Sequence, residues 1–354
     1  MSVLMLSTYL GNPNSFIKCG SKNIDEMVNP IFILGSDRNG TTWLPNILCN
    51  HPEICGAQHR AHWGIKESYI CRHILYWNDF DENDEFIKFL ELYSSGDYFK
   101  LVEGDKEYFY ENRPEDFTDF FFQMMDNYAE KKDAKYWTTK LDKQFYNHPT
   151  ILKRFFQKAD ERYEKIKFIG IKRKYADVLG SALNMPGADK RWRKQRFKKE
   201  IFAIDNMINY AHDYNSIKKI ISERDGLMLR FNLLKNDREK AFEKIIKYLN
   251  IDYSEKMLED NYPANSSYRG REGRIKLPDW EEKMITIYLL PIFESTESLS
   301  RALQRLKNSL IGFPDCPLYF RLLKLEKFPE RFKKELEEKG RVGLRKMLFE
   351  DDRR

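Results

Sequence analysis

Short apolar runs alternate with longer stretches of helical periodicity along most of this chain. An apolar run bounded by glycine, proline or polar residues is typical of a buried strand. Four strands are predicted in this way, at residues 30–34, 135–139, 166–172 and 227–231. Strands that alternate with helices usually form a parallel sheet covered by helices. The pattern therefore predicts an α/β fold with a largely parallel sheet.

Helical periodicity follows three of the four predicted strands. Residues 43–48 follow the first strand, residues 175–183 the third and residues 237–249 the fourth. The apolar positions of the last of these helices share one face, as expected for a helix packed on a sheet: Ala241, Phe242, Ile245, Ile246 and Leu249.

Two further helical segments lie outside this alternation. The segment of about residues 62–130, rich in Tyr, Phe and Trp, is predicted to be a helical insertion. Aromatic side chains at helical spacing usually belong to a core; alternatively, some of them line a ligand pocket, because such pockets are mostly apolar. Residues 326–354 are predicted to form a charged helical tail, which leaves residues 1–325 as a single domain.

Composition agrees with a folded chain. The 354 residues are 42% hydrophobic and 14% aromatic, which supports a packed core rather than disorder. The net charge of +6 is small against 61 basic and 55 acidic residues. A balance of this kind does not imply a nucleic-acid partner, and none is expected.

Cysteine usage and hydropathy bear on the compartment. Five cysteines without C-x-x-C spacing (Cys19, Cys49, Cys55, Cys71 and Cys316) favour neither a zinc site nor a disulfide framework, so no metal site is predicted. The first ten residues do not have the features of a signal peptide. No run of 18 apolar residues exists, so no membrane span is expected and a cytoplasmic location is predicted.

The loop after the first predicted strand carries the strongest chemical signal. Residues 35–42 read G-S-D-R-N-G-T-T and lead into the first predicted helix. Backbone N–H groups of such a loop, together with a helix N-terminus, suit a phosphate. The spacing nearly matches the loop G-x-x-x-x-G-K-[ST], but Thr41 occupies the position of the lysine and the cation is Arg38. The loop is therefore predicted to bind a phosphate ligand other than ATP.

A second basic element follows the third predicted strand. Arg173 comes at the end of that strand, and Ser181 lies eight residues later on the next predicted helix. Ligands of open parallel sheets bind beyond the carboxyl ends of the strands. Arg173 and Ser181 are therefore predicted to reach one anion.

Together the two elements resemble the sulfotransferases that use 3′-phosphoadenosine 5′-phosphosulfate (PAPS). Residues 38–44 resemble the signature [KR]-[SG]-G-T-T-W-L, with Asp37 where a proline is usual. Arg173, Asp177 and Ser181 match the family's 3′-phosphate element. The resemblance implies a P-loop-like fold and in-line transfer of a sulfuryl group from PAPS to a hydroxyl of a small molecule, lipid or glycan. The other product is 3′,5′-adenosine bisphosphate (PAP).

The resemblance also implies which residues bind the donor. It assigns the phosphosulfate end to the loop, through Ser36, Arg38, Asn39, Gly40, Thr41, Thr42 and Trp43. It assigns the 3′-phosphate to Arg173 and Ser181, and to a late loop in which arginine and glycine alternate, Arg269, Gly270 and Arg271. Guanidinium forks and backbone N–H groups can together surround a phosphate.

Sulfuryl transfer needs cations at the bridging oxygen of the leaving phosphate and a base near the acceptor. Arg38 is expected to contact the bridging oxygen. Lys140, in residues 136–140, resembles the lysine of the W-x-x-K element of carbohydrate and protein sulfotransferases. Alternatively, Lys140 is a solvated lysine at the end of a strand.

The base is expected among the residues that follow the first helix. His59 is favoured, then Glu67, then His62, since a histidine is a competent base near neutral pH. His51 belongs to a His-Pro turn that closes the helix and is expected to be structural.

Two rival functions stay open. One is a P-loop kinase for a small molecule or nucleotide, which Thr41 and the lack of a magnesium-binding pair disfavour. The other is an inactive PAP-binding or interaction protein. Three departures from the family's pattern keep it open: Asp37, Leu141 after the W-x-x-K element, which lacks the family's proline, and Asn232 where an acidic residue is usual. The basic run at residues 190–199 is predicted to be a solvated helix face. Alternatively, this run binds a polyanionic acceptor. A third possibility is that it binds nucleic acid or an anionic membrane surface.

Overall fold

The computed structural model describes residues 28–59, 64–77, 79–80, 83–184 and 198–259. Seven strands lie in these ranges: β1 (Asn29–Leu34), β2 (Ile54–Gly56), β3 (Gln58–His59), β4 (Gly64–Ile65), β5 (Tyr136–Lys140), β6 (Lys167–Lys172) and β7 (Leu227–Arg230). The first helices are α1 (Trp43–Leu48), α2 (Ile70–Tyr76), α3 (Asn83–Ser94), α4 (Asp97–Leu101), α5 (Lys106–Glu111) and α6 (Phe117–Lys131). The later ones are α7 (Gln144–Asn147), α8 (Pro149–Arg162), α9 (Tyr175–Leu183), α10 (Lys198–Glu223), α11 (Phe231–Asn236) and α12 (Arg238–Leu249), and a 3-10 turn covers Glu255–Leu258.

Five strands form one parallel sheet in the order β2-β5-β1-β6-β7. The predicted α/β fold with a parallel sheet is confirmed. The chain turns from β1 towards the β2 side, whereas it continues from β6 towards β7. The loops after β1 and β6 therefore diverge, and this divergence opens a crevice at the carboxyl edge, where ligands of such sheets bind.

The insertion between β1 and β5 packs its aromatic side chains against one face of the sheet. The ring of Phe32, on β1, lies 5.6 Å from that of Trp137 and 5.4 Å from that of Phe155. The helices α3 to α6 add fully buried rings to this cluster: Phe86, Phe89, Phe109, Phe117, Phe120, Phe121 and Phe122. Burial of each such ring contributes about 1.5–3 kcal/mol. These aromatic residues belong to the core, as predicted.

The other face of the sheet is covered by α1, α11 and α12. Ile31 and Ile33 of β1 pack in the same cluster as Phe242 and Ile245 of α12. The side chain of Asp237 accepts a hydrogen bond from Lys240 N at 3.3 Å and so caps the N-terminus of α12. The helix predicted at residues 237–249 is thereby confirmed, with Asp237 as its cap.

Several predicted features lie outside the described residues. These are the charged tail at 326–354, the basic run up to residue 197, the late loop with Arg269, Gly270 and Arg271, and His62. The domain boundary at residue 325 stays a prediction. Among the helices that the structure does describe, none is both long and apolar enough to cross a membrane.

Candidate functional site

The loop of residues 35–42 joins β1 to α1 and makes two turns with left-handed backbone conformations. Arg38 has φ of 67° and Gly40 has φ of 94°. Asn39 N donates to Ser36 O at 3.3 Å, and Leu44 N donates to Gly40 O at 3.0 Å. A Cβ atom at Gly40 would lie 2.6 Å from the Phe231 ring. Glycine is thus required at this position both by the backbone conformation and by the close approach of the ring.

Three side-chain hydrogen bonds fix the loop to the elements around it. The amide nitrogen of Asn39 donates to Ile171 O at 3.1 Å, on β6. The hydroxyl of Ser36 donates to the carboxylate of Asp213 at 3.0 Å. Gly35 N donates to the hydroxyl of Tyr146 at 3.3 Å. The side chains of Ser36 and Asn39 are therefore engaged in hydrogen bonds within the protein.

The two predicted phosphate elements meet at the crevice between β1 and β6. The Arg38 guanidinium donates from Nε to Ser181 Oγ at 2.9 Å. Arg173 donates from Nη1 to the backbone oxygen of Arg38 at 2.9 Å. Two cations and one hydroxyl, contributed by the loop after β1, the end of β6 and α9, thus lie together. This arrangement can bind an anionic ligand that carries more than one charged group.

An aromatic wall borders this cluster. The rings of Trp43 and Phe231 meet edge to face with centroids 5.9 Å apart. The guanidinium carbon of Arg173 lies 4.5 Å from the centroid of Phe231, and that of Arg238 lies 5.2 Å from the centroid of Trp43. The apolar pattern predicts that Phe231 ends the fourth strand; in the structure Phe231 instead begins α11. The local sequence does not predict the contact between Phe231 and the loop, because the two are far apart in the chain and are brought together by the packing of the sheet.

A second charged group lies on the opposite side of β1. Lys140 ends β5 and is paired in register with Ile33, so it lies one strand from the loop. Its ammonium group forms an ion pair with Glu67. Asp142 is buried nearby. Its carboxylate accepts hydrogen bonds from Cys71 N at 3.2 Å and from Gln144 N at 2.9 Å. Burial raises the pKa of Asp142.

The departure of Asp37 from the usual proline has a structural counterpart. Asp37 forms an ion pair with Lys143, three residues after Lys140, and both side chains are about half exposed. An exposed pair of this kind contributes about 0.2–1 kcal/mol. The pair connects the loop to the turn after β5.

The favoured base lies on a small hairpin beside the loop. His59 is the last residue of β3, which pairs antiparallel with β4, and Ile65 N of β4 donates to Thr42 O at 3.4 Å. The backbone of His59 therefore lies near the start of α1. His51 is structural, as expected: its Nδ1 accepts from Glu53 N at 3.1 Å, so Nε2 carries the proton and donates to Asp252 O at 2.8 Å.

The sheet and its loop define an α/β protein with a cationic crevice beside the central strand. The chain belongs to the sulfotransferase family, because the model of the family described as "Sulfotransferase family" matches residues 30–255, more than half of the 354 residues. No curated protein matches the sequence significantly.

Solved structures of sulfotransferases are similar to the chain at low identity. A sulfotransferase domain from the curacin biosynthetic pathway is 15% identical over 85% of this chain and 98% of that chain, with a TM-score of 0.44. A sulfotransferase domain from the Synechococcus PCC 7002 olefin synthase is 16% identical over 82% and 97%, with a TM-score of 0.37. Sulfotransferase STF1 from Mycobacterium tuberculosis H37Rv is 13% identical over 74% and 77%, also with a TM-score of 0.37.

Proposed function

We propose that this sulfotransferase uses PAPS as its donor and transfers the sulfuryl group to a hydroxyl of a small molecule, lipid or glycan. The observation that carries the proposal is the meeting of Arg38, Arg173 and Ser181 at one point of the crevice. PAPS carries a 3′-phosphate and a 5′-phosphosulfate on the same ribose. A site for it needs two cationic groups close together, on separate elements, as found here.

The chemistry of the remaining residues also fits this donor. The backbone of residues 40–42 offers N–H groups at the phosphosulfate end, next to Arg38. The late loop with Arg269, Gly270 and Arg271 is proposed to add contacts to the 3′-phosphate.

Charge stabilisation is assigned to two cations on either side of β1. PAPS supplies a sulfuryl group attached through a bridging oxygen, on which negative charge grows as the bond breaks. Arg38 is proposed to contact that oxygen, and Lys140 is proposed to contact the sulfuryl oxygens from the β5 side; the position of Arg38 beside Ser181 and of Lys140 at the end of β5 supports this. A preorganised cation at such a position contributes to the rate because its attraction grows with the charge. Since the chain supplies these cations itself, the proposed reaction needs no metal.

The proton acceptor is proposed to be His59, with Glu67 as the second candidate. The hairpin that carries His59 is bonded to Thr42 at the end of the loop. Glu67 is held by Lys140. When Lys140 turns to an anionic ligand, the carboxylate of Glu67 loses its partner and becomes able to accept a proton. Each candidate predicts a different pattern of loss on substitution.

The test of the proposal has two parts that use the full chain. Calorimetric titration with PAP and with adenosine 5′-phosphate measures whether the protein recognises the 3′-phosphate. A panel of hydroxyl acceptors incubated with sulfur-labelled PAPS then measures transfer. Preferential binding of PAP together with label on an acceptor supports the proposal. Equal affinity for the two nucleotides would contradict the donor assignment, and PAP binding without any transfer would favour the inactive PAP-binding alternative.

A further inference from the structure

The longest described helix, α10, contacts both anion-binding elements with one face. Tyr210, Asp213 and Tyr214 lie three and four residues apart, so they project from the same side of the helix. The hydroxyl of Tyr210 donates to the backbone oxygen of Arg173 at 2.6 Å. The carboxylate of Asp213 accepts from Ser36 Oγ at 3.0 Å. One turn of α10 therefore bonds to the end of β6 and to the loop after β1.

Two neighbouring contacts strengthen the attachment of this turn. The ammonium group of Lys172 lies 3.8 Å from the centroid of the Tyr214 ring, a favourable cation–π arrangement. The ring of Tyr175, at the start of α9, lies 5.3 Å from that of Tyr210. The same turn of α10 thus also contacts α9, the helix that carries Ser181.

The sheet alone does not hold these loops together. The register between β1 and β6 ends at the pair Leu34 and Gly170. Beyond it the two loops diverge, and they are joined by side-chain bonds such as those of Asn39 and Arg173. The contacts of α10 add a rigid third body that touches both loops, and a helix is stiffer than the loops it holds.

The burial of Asp213 is informative in itself. The residue is 1% exposed and lies beneath a loop proposed to bind anions. A carboxylate there is unfavourable for two reasons: its burial removes it from water, and its negative charge repels an anionic ligand. Its carboxylate receives the Ser36 hydroxyl, and the nearby imidazole of His212 lies 3.7 Å from it. Its charge also adds to the effect of burial in raising the pKa of Tyr146, which bonds Gly35. Because the carboxylate of Asp213 is costly to bury and is bonded to the loop, we infer that Asp213 positions the loop.

We propose that α10 sets the separation between the two anion-binding elements, with Tyr210 and Asp213 as positioning residues. The proposal rests on the proposed function. It makes α10 responsible for the chain's preference for a nucleotide with anionic groups at both the 3′ and 5′ positions. When two groups of one ligand bind sites held at the right distance, the second group binds at a high effective concentration. When the separation varies, each group still binds, but the advantage of having both is reduced.

The consequence is measurable as a ratio of affinities. The full chain is titrated with PAP, adenosine 5′-phosphate and adenosine 3′-phosphate, for wild type, Tyr210→Phe, Asp213→Ala and Asp213→Asn. Loss of one hydrogen bond is expected to lower the preference for PAP over either mononucleotide by roughly three- to tenfold in Tyr210→Phe and Asp213→Ala. The affinities for the mononucleotides stay within twofold of wild type. Asp213→Asn keeps an oxygen for Ser36 and is expected to retain the preference.

Tyr248→Phe is the matched control. The hydroxyl of Tyr248 accepts from Phe168 N at 3.0 Å, near the other end of β6, so its loss removes a comparable bond from the same strand. This variant should be destabilised to a similar extent in denaturant unfolding and should keep the wild-type preference for PAP. If Asp213→Ala does not fold, Tyr210→Phe alone decides, because it removes only a hydroxyl.

Three outcomes would overturn the assignment to α10. One is an unchanged PAP preference in Tyr210→Phe and Asp213→Ala, and another is an equal fall for all three nucleotides, which would indicate a general loss of order. In both cases a wild-type preference for PAP leaves the proposed donor intact. The third outcome, a wild type that binds PAP no better than the mononucleotides, overturns the proposed donor and the role of α10 together.

Discussion

Arg38 and Ser181 are 143 positions apart in sequence, yet Arg38 Nε donates to Ser181 Oγ at 2.9 Å. The bond joins the loop after β1 to the helix after β6. An anion that binds the guanidinium of Arg38 therefore lies beside the Ser181 hydroxyl. The predictions below concern that shared site.

Replacement of Arg173 should weaken PAP binding. Arg173→Ala removes a charged hydrogen-bond donor that also supports the backbone of Arg38, and a charged donor contributes about 1.5–3 kcal/mol. Affinity for PAP should fall by roughly 10- to 100-fold, as measured by calorimetry. Arg154→Ala on the exposed surface of α8 is the control and should bind as wild type does. An Arg173→Ala protein with unchanged PAP affinity would remove this residue from the site.

Sulfuryl transfer should continue without free divalent metal. Arg38 and Lys140 are proposed to supply the positive charge that magnesium supplies in phosphoryl transfer. The rate of label transfer from PAPS is measured with EDTA and again with added magnesium, and the two rates should agree within twofold. Activity that disappears with the chelator and returns with magnesium would favour the kinase rival.

The base is identified by comparing two substitutions. His59→Ala should lower turnover by about 10²–10⁴-fold, the usual contribution of a positioned base, with PAP affinity nearly unchanged. Glu67→Gln should have a smaller effect, through the loss of its ion pair with Lys140. The reverse pattern, with the large loss in Glu67→Gln, would transfer the role to the carboxylate. If neither variant loses activity, the base lies elsewhere.

Two glycines provide a matched test of the loop. Gly40→Ala places a methyl group 2.6 Å from Phe231 at φ of 94°, and should lower the free energy of unfolding by about 1–3 kcal/mol and weaken PAP binding. Gly180→Ala has open space on a helix and should raise the free energy of unfolding by up to about 1 kcal/mol. Denaturant unfolding measures both. Equal stability of the two variants would show that the loop tolerates a side chain at Gly40.

Stability should depend on pH through His73. Burial, with a smaller contribution from the charge of Arg72, lowers the pKa of His73 to about 4, and its ring stacks on Phe117 with centroids 4.8 Å apart. The unfolded chain binds the proton more readily, so this contribution is complete above the unfolded value of about 6.5 and is lost as pH falls towards 4.

The free energy of unfolding is expected to fall by about 2 kcal/mol between pH 6.5 and pH 4. This is less than the shift in pKa alone would give, because the ring is only partly buried and solvent screens its charge. His73→Phe, which keeps an aromatic ring against Phe117, should lack this part of the pH dependence. Unfolding curves at pH 7 and pH 4.5 compare the two proteins. The same pH dependence in both would assign it to other groups.

The sequence predicted the long elements because their patterns are local. The apolar run of β1, the glycine loop and α9 are each specified by residues next to one another, and the structure has them at the predicted places. The strand β2 has only three residues, which is too short for a periodic signal. Its place at the edge of the sheet is determined by pairing with β5.

The contacts of the site could be predicted only in part. That Arg38 and Arg173 lie at the same edge follows from the parallel sheet, since both come after strands. The bond between Ser36 and Asp213 spans 177 positions, and that between Gly35 and Tyr146 spans 111. No spacing encodes such pairs, because they depend on how α7 and α10 pack around the sheet.

Arg38 has a backbone conformation in which glycine is the more stable residue, with φ of 67°. A side chain there costs about 1 kcal/mol relative to glycine. Screening for thermostability alone would therefore favour glycine at this position and discard the guanidinium that contacts Ser181. At position 38, stability and the proposed ligand binding therefore favour different residues, and consensus or stability-guided redesign of the chain should keep Arg38.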